Sequence, residues 1–243
     1  MKFLISLIIA IGLVSIGRNF IKKHSTLCYL ISTIIAILLI VGVHSGKIFD
    51  LPKNAFTIYI LPTFRNGAFS TALFVIVMYI GALKNGSSLI KFLMPIRAEL
   101  SIIASIFTLA HNISFGKLHF VRLFTNPSAL KPNVIVAAII SLILIAIMLP
   151  LMITSFPSVR RKMDAKKWKK IQKTAYLFYG LIYAHVMLIM VPYALKGKTT
   201  YIFNIAIYTI VFLTYAVMRV SKAYAKKADT KNNLLLQKNN GIV

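Results

Sequence analysis

The sequence predicts an all-α integral membrane protein, a bundle of about seven transmembrane helices with its N-terminus outside and its C-terminus in the cytoplasm. Three observations carry this expectation. Of the 243 residues, 58% are hydrophobic and only 14% charged, with a mean hydropathy of +0.81, whereas a soluble domain averages about 25% charged residues. Uncharged apolar runs recur along the chain at lengths suited to a bilayer. The 29 Lys and Arg against 4 Asp and Glu fall between those runs, where membrane insertion selects them. A net charge of +25 could suit nucleic acid, but the bases are not gathered on one soluble face, and nucleic acid is set aside as a partner.

The uncharged segments are residues 3–17, 25–49 apart from Lys47, 66–83, 100–116, 132–159, 174–195 and 199–218. At about 1.5 Å per residue most can cross a hydrocarbon core of about 30 Å, but the first reaches only about 22 Å. Aliphatic runs such as residues 31–43 have strand propensity too. In lipid, however, only helices or closed barrels satisfy every backbone group, and barrel strands alternate apolar with polar residues. These runs do not alternate, so they are read as helices.

Counting bases in alternate loops gives 20 on one side and 9 on the other. The richer side is expected to be cytoplasmic, in a multi-pass protein of the cell membrane in contact with its lipids. The same distribution speaks against a cleaved leader, because Lys2 is outweighed by Arg18, Lys22 and Lys23 behind the first run. Residues 1–65 read as two N-terminal helices and an outer loop, 66–219 as the main transmembrane domain, and 220–243 as a basic, disordered cytoplasmic tail. That tail is too short for a nucleotide-binding domain, and no G-x-G-x-x-G or P-loop occurs. Cys28 is the single cysteine, which excludes an internal disulfide, a Cys-ligated zinc site and an iron–sulfur cluster.

Of the five histidines, His24 and His119 fall in polar loops and His44 closes a span. His111 and His185 lie inside predicted helices. His111 is 14 residues beyond Arg97 and His185 is 12 beyond Lys173, rises of about 21 and 18 Å. The two imidazoles therefore reach one level on different helices, in the outer half of the bilayer. An ionisable side chain there is costly and marks a candidate functional site. Two such rings can hold haem iron between helices, or each can simply hydrogen-bond a neighbouring helix. The spans contain no Asp or Glu to continue a proton relay.

From Leu149 to Met190 the chain resembles the ferric-reductase-like transmembrane domain, especially the haem membrane subunit of the bacterial periplasmic methionine sulfoxide reductase system. That pattern has a helix ending in Thr-Ser, an Arg-containing turn, a Trp, His-Arg-x-x-Tyr, and a second His thirteen residues after the first. Thr154, Ser155, Arg160, Arg161, Trp168, Tyr176 and His185 fall into it. Upstream, Pro95-Ile96-Arg97 followed by Ala110-His111 is similar to the family's Arg-led helix with its haem histidine. The likeness covers residues 66–219, which it implies are a haem-binding transmembrane domain.

The resemblance implies that His111 and His185 are iron ligands, with Arg97, Arg160, Arg161 and Gln172 placed as cofactor-binding residues. Where the family has its first histidine of the sixth span, this chain has Gln172. Glutamine is a poor iron ligand and arginine none, so one haem b is expected rather than two. The implied function is oxidoreductase-type electron transport, from a separate cytoplasmic flavin reductase or flavoprotein, with FMN at the cytoplasmic face, to an external acceptor or reductase subunit. The alternative is a small multi-span transporter or channel without haem. For the basic turn from Arg160 to Lys170, topology and contact with anionic lipid suffice as an explanation. The sharper reading is a dock for a flavin phosphate or an acidic reductase. Trp168 reads as an interfacial anchor.

Overall fold

The computed structural model describes the backbone of residues 2–239 and the side chains of residues 2–225. Helices α1 (Lys2–Lys23) and α2 (Ser25–His44) form a hairpin turning at His24. The expected shortness of the first span is corrected, because the helix does not stop at Gly17 but runs on through Arg18, Lys22 and Lys23. Its 22 residues reach about 33 Å, and two lysines in the last turn complement the negative end of its dipole.

A π-helical turn at Phe56–Ile60 leads into α3 (Leu61–Arg65), and α4 (Ala68–Ala82) follows at 59° to the Phe56–Arg65 segment. The bend falls at Gly67, whose φ of 74° is a left-handed conformation that glycine adopts at little cost. The expected third span is therefore α4, and its 15 residues rise about 22 Å. Thirteen of them are buried, against α1, α6 and α12 above all. A helix apolar on every side belongs at the centre of a bundle, and α4 is that centre.

The run Ser88–Thr125 contains α5 (Ser88–Leu93), a 3-10 turn at Met94–Ile96, α6 (Arg97–His111), a π-helical turn at Asn112–Gly116 and α7 (Lys117–Thr125). Then follow α8 (Pro132–Ile153), the short α9 (Pro157–Arg160), α10 (Ala165–Lys173), α11 (Ala175–Ala194) and α12 (Thr199–Asn239). The expected span over 132–159 ends at Ile153, because Pro157 restricts the residue before it and opens a new helix. Among the described residues there is no strand. Among the same residues six helices are long and apolar enough to cross a membrane, or seven if the bent pair counts as one span.

The tail departs from the expected disorder: the α12 backbone is helical through Asn239. From Ala223 to Gln237 it has no Gly or Pro and is rich in Ala, Lys and Leu, which are good helix formers. Residues 240–243 lie outside the described residues.

Few polar bonds cross between helices, and two of them join parts far apart in sequence. Tyr79 on α4 donates to the Val211 carbonyl of α12 at 2.7 Å, and Asn133 on α8 donates to the Leu188 carbonyl of α11 at 3.1 Å. The periphery is apolar. On α2 only Ser32, Ala36 and Leu39 are buried, while Leu30, Ile34, Leu38 and Val41 are exposed, as suits a face against acyl chains. We call the side carrying the loops around residues 84–97 and 160–173 the basic face. A reporter fused after Lys222 is expected to read cytoplasmic and one inserted near Lys196 external, following the base count. The reverse pattern would invert every assignment of inside and outside.

Candidate functional site

Helix α6 rises from Arg97 and ends at His111, where the backbone passes into the π-helical turn Asn112–Gly116. Such wide turns are frequent at functional positions. The His111 Nδ1 lies 3.2 Å from the Arg65 carbonyl oxygen. A carbonyl only accepts, so Nδ1 carries the proton and Nε2 keeps its lone pair. The ring rests on Gly67: a Cβ at that position would stand 3.0 Å from Cδ2, 3.1 Å from Cγ and 3.4 Å from Nε2. The bend between α3 and α4 thus does two things for His111, presenting a carbonyl and leaving a side-chain-free shelf.

His185 is held in the same way from another direction. Its Nδ1 is 3.2 Å from the Ala137 carbonyl and 3.2 Å from Ser141 Oγ, both on α8. Ser141 donates its own proton to Ala137 at 3.0 Å, so its oxygen is free to accept from the ring. Again Nδ1 is the donor and Nε2 is bare. A backbone carbonyl on the far nitrogen is the usual arrangement behind a metal-ligating histidine, fixing its tautomer and raising its basicity.

Neither Nε2 has a hydrogen-bond partner among the described residues. The rings are near enough for a charge on His185 to act on His111. Their helices lean elsewhere, α6 on α4 and α2, and α11 on α8 and α12, which leaves the pair between two helix packs. Among the described residues no three His, Cys, Asp or Glu side chains gather, so the pair is not part of a larger side-chain chelate. An imidazole nitrogen left without a proton is the kind of ligand that haem iron takes.

The other histidines are placed differently. His24 lies at the exposed α1–α2 turn, and the His44 Nδ1 bonds its own helix at Ile40, 2.9 Å away. His119 falls on α7, where its Nδ1 is buried without a partner among the described residues; the sequence places it in a loop, but the segment is helical.

Toward the basic face, Arg97 and Gln172 are brought together at a cavity of about 30 Å³ that Ser101, Ser105 and Met148 also line. Such a space holds about one water, not a second haem. Gln172 Nε2 donates to Thr154 Oγ1 at 3.2 Å, Trp168 Nε1 donates to the Thr154 carbonyl at 3.1 Å, and the Arg160 guanidinium lies 4.5 Å from the Trp168 ring centroid. These residues close the end of α8. Arg161 stands apart, exposed, with its Nε on the Pro157 carbonyl at 3.2 Å. Sequence reasoning missed Gly67, the Arg65 and Ala137 carbonyls, and Ser141. The small pair Ala137 and Ser141, four apart on one face of α8, was the one legible signal.

The chain is similar to an uncharacterized protein of Treponema pallidum (strain Nichols), 40% identical over 228 residues, which are 93% of this chain and 62% of that protein. The chain thus spans less than two thirds of the relative's length. No family model matches the sequence, and no solved structure matches it.

Proposed function

We propose that this chain is a b-type haem membrane protein that passes electrons from a cytoplasmic flavin or flavoprotein to an acceptor outside, with His111 and His185 as axial ligands. One observation carries the reading: two intramembrane imidazoles on different helices, each with Nδ1 on a backbone carbonyl and Nε2 unpartnered. The resemblance of residues 66–219 to the ferric-reductase-like domain supports it. When bound, haem supplies one-electron chemistry at a potential set by ligands and burial. The chain's own residues bind and orient. Arg65 and Ala137 fix the tautomers, Gly67 gives the His111 ring room, and the surrounding apolar helices keep the level dry.

Because the pair lies away from the basic face, a separate carrier is needed there. The bases of α10, with Arg160 and Arg161, suit a flavin phosphate or an acidic reductase. The test is the absorption spectrum of the purified full chain, with a pyridine haemochrome assay. A Soret band and about one haem per chain are expected. A ratio near two would require a further ligand pair, and no band after expression with a haem precursor would leave the reading without its cofactor. The transporter reading draws on the 59° bend at Gly67, since broken helices build transporter sites, and it is the reading a blank spectrum would favour.

A further inference from the structure

On the basic face, the carboxyl end of α4 is ringed by cations. Lys222 Nζ donates to the Gly81 and Leu83 carbonyls at 3.1 and 2.6 Å. Arg219 reaches the Gly81 carbonyl at 3.5 Å, bonds the Tyr176 hydroxyl and lies over that ring at 5.0 Å. Arg97 Nε donates to the Val77 carbonyl at 3.3 Å. Arg160 completes the set, near enough that its charge and that of Arg219 act on Arg97.

The carbonyl end of a helix offers about half a negative charge, which is far too little for four cations. None of the described carboxylates is paired with these cations. Glu99 lies two residues beyond Arg97 in the first turn of α6 and forms no ion pair with any of the four among the described residues. Asp164 caps α10, accepting from the backbone of Lys166 and Lys167 at 3.0 Å each. Asp50 follows α2, at the opposite face. Like charges held together at the edge of a low-dielectric core repel strongly unless an anion joins them. The donors for an anion are present too, because Arg97 commits only its Nε and Arg160 only its ring contact. Guanidinium forks match phosphate oxygens in pairs.

We propose that Arg97, Arg160, Arg219 and Lys222 form a binding site for a phosphate group, supplied by an anionic lipid headgroup or by free phosphate. The site stands whether or not the chain binds haem. Its height suits the lipid source: Arg97 opens α6 at the basic face, and anionic headgroups are drawn to basic residues at that level.

The test uses the delipidated full chain in detergent, titrated at fixed ionic strength with phosphatidylglycerol, phosphatidylcholine or inorganic phosphate. Thermal unfolding and native mass spectrometry are the readouts. Phosphatidylglycerol is expected to raise the unfolding temperature and to be retained at one molecule per chain, with phosphatidylcholine doing neither. An equal rise with inorganic phosphate would support the site and assign it to free phosphate. The double variant R97Q/R160Q should bind about tenfold or more weakly, as loss of charge-assisted bonds predicts, while the exposed pair K22Q/K23Q should bind as the parent does. Equal weakening in both variants would overturn the proposal by showing general surface charge. Should the double variant fail to fold, the parent protein decides alone: binding no anion in preference to phosphatidylcholine would overturn it.

Discussion

Replacing either His111 or His185 with alanine is expected to abolish the six-coordinate low-spin haem spectrum. On the proposed reading each ring would supply one iron-binding nitrogen from a separate helix, so a single substitution would remove half of the ligand set and leave five-coordinate iron or none. His24→Ala, His44→Ala and His119→Ala should leave the spectrum as it is, because none of these rings lies with the pair. If the two rings served only as interhelical ties, no variant would alter a haem spectrum. Each change would then cost about 1 kcal/mol, the worth of its hydrogen bond to Arg65 or Ala137. Retention of the low-spin band in both alanine variants would place the ligands elsewhere.

Gly67→Ala should damage both the fold and the site. Its φ of 74° costs a residue with a Cβ about 1–2 kcal/mol, and the added carbon would meet the His111 ring at 3.0 Å. The ring must tilt, and with it the Nε2 vector. The expected result is a loss of about 1–3 kcal/mol in stability, together with a fall in bound haem. Gly86→Ala is the matched control, since Gly86 has φ 80° and nothing within 4 Å of the added carbon. It shares the backbone penalty without the contact. If the two variants lose haem equally, the shelf beneath His111 has no role in the site.

The spans could be read from the sequence because lipid enforces one rule along the whole chain: an uncharged run must satisfy its own backbone, and helices do so. What the runs could not give was their ends. Arg18, Lys22 and Lys23 extend α1 because a charged side chain at a membrane edge does not stop a helix, whereas Pro157 does stop α8 early. The burial of α4 was hidden for a related reason, since its composition is as apolar as that of helices facing lipid. His111 and His185 stood out by depth alone. The carbonyls that orient them come from Arg65 and Ala137, 46 and 48 residues away in sequence, and a backbone oxygen has no signature in a sequence. Arg219 and Lys222 passed as part of a basic tail, because their approach to the end of α4 depends on how α12 packs beside it.

The position of α4 also sets an order on biogenesis. A helix made after α1 and α2 is first surrounded by lipid, and it is hydrophobic enough to rest there. Its partners α6, α11 and α12 are synthesised later. Until Val211 emerges, the Tyr79 hydroxyl has no carbonyl on α12 to bond, and until Arg219 and Lys222 follow, the Gly81 and Leu83 carbonyls stay open. The bundle can therefore close around its own centre only after more than a hundred further residues have left the ribosome. A nascent chain stalled before α12 would carry a finished hydrophobic helix with one flank still facing acyl chains, a state that membrane quality control could recognise.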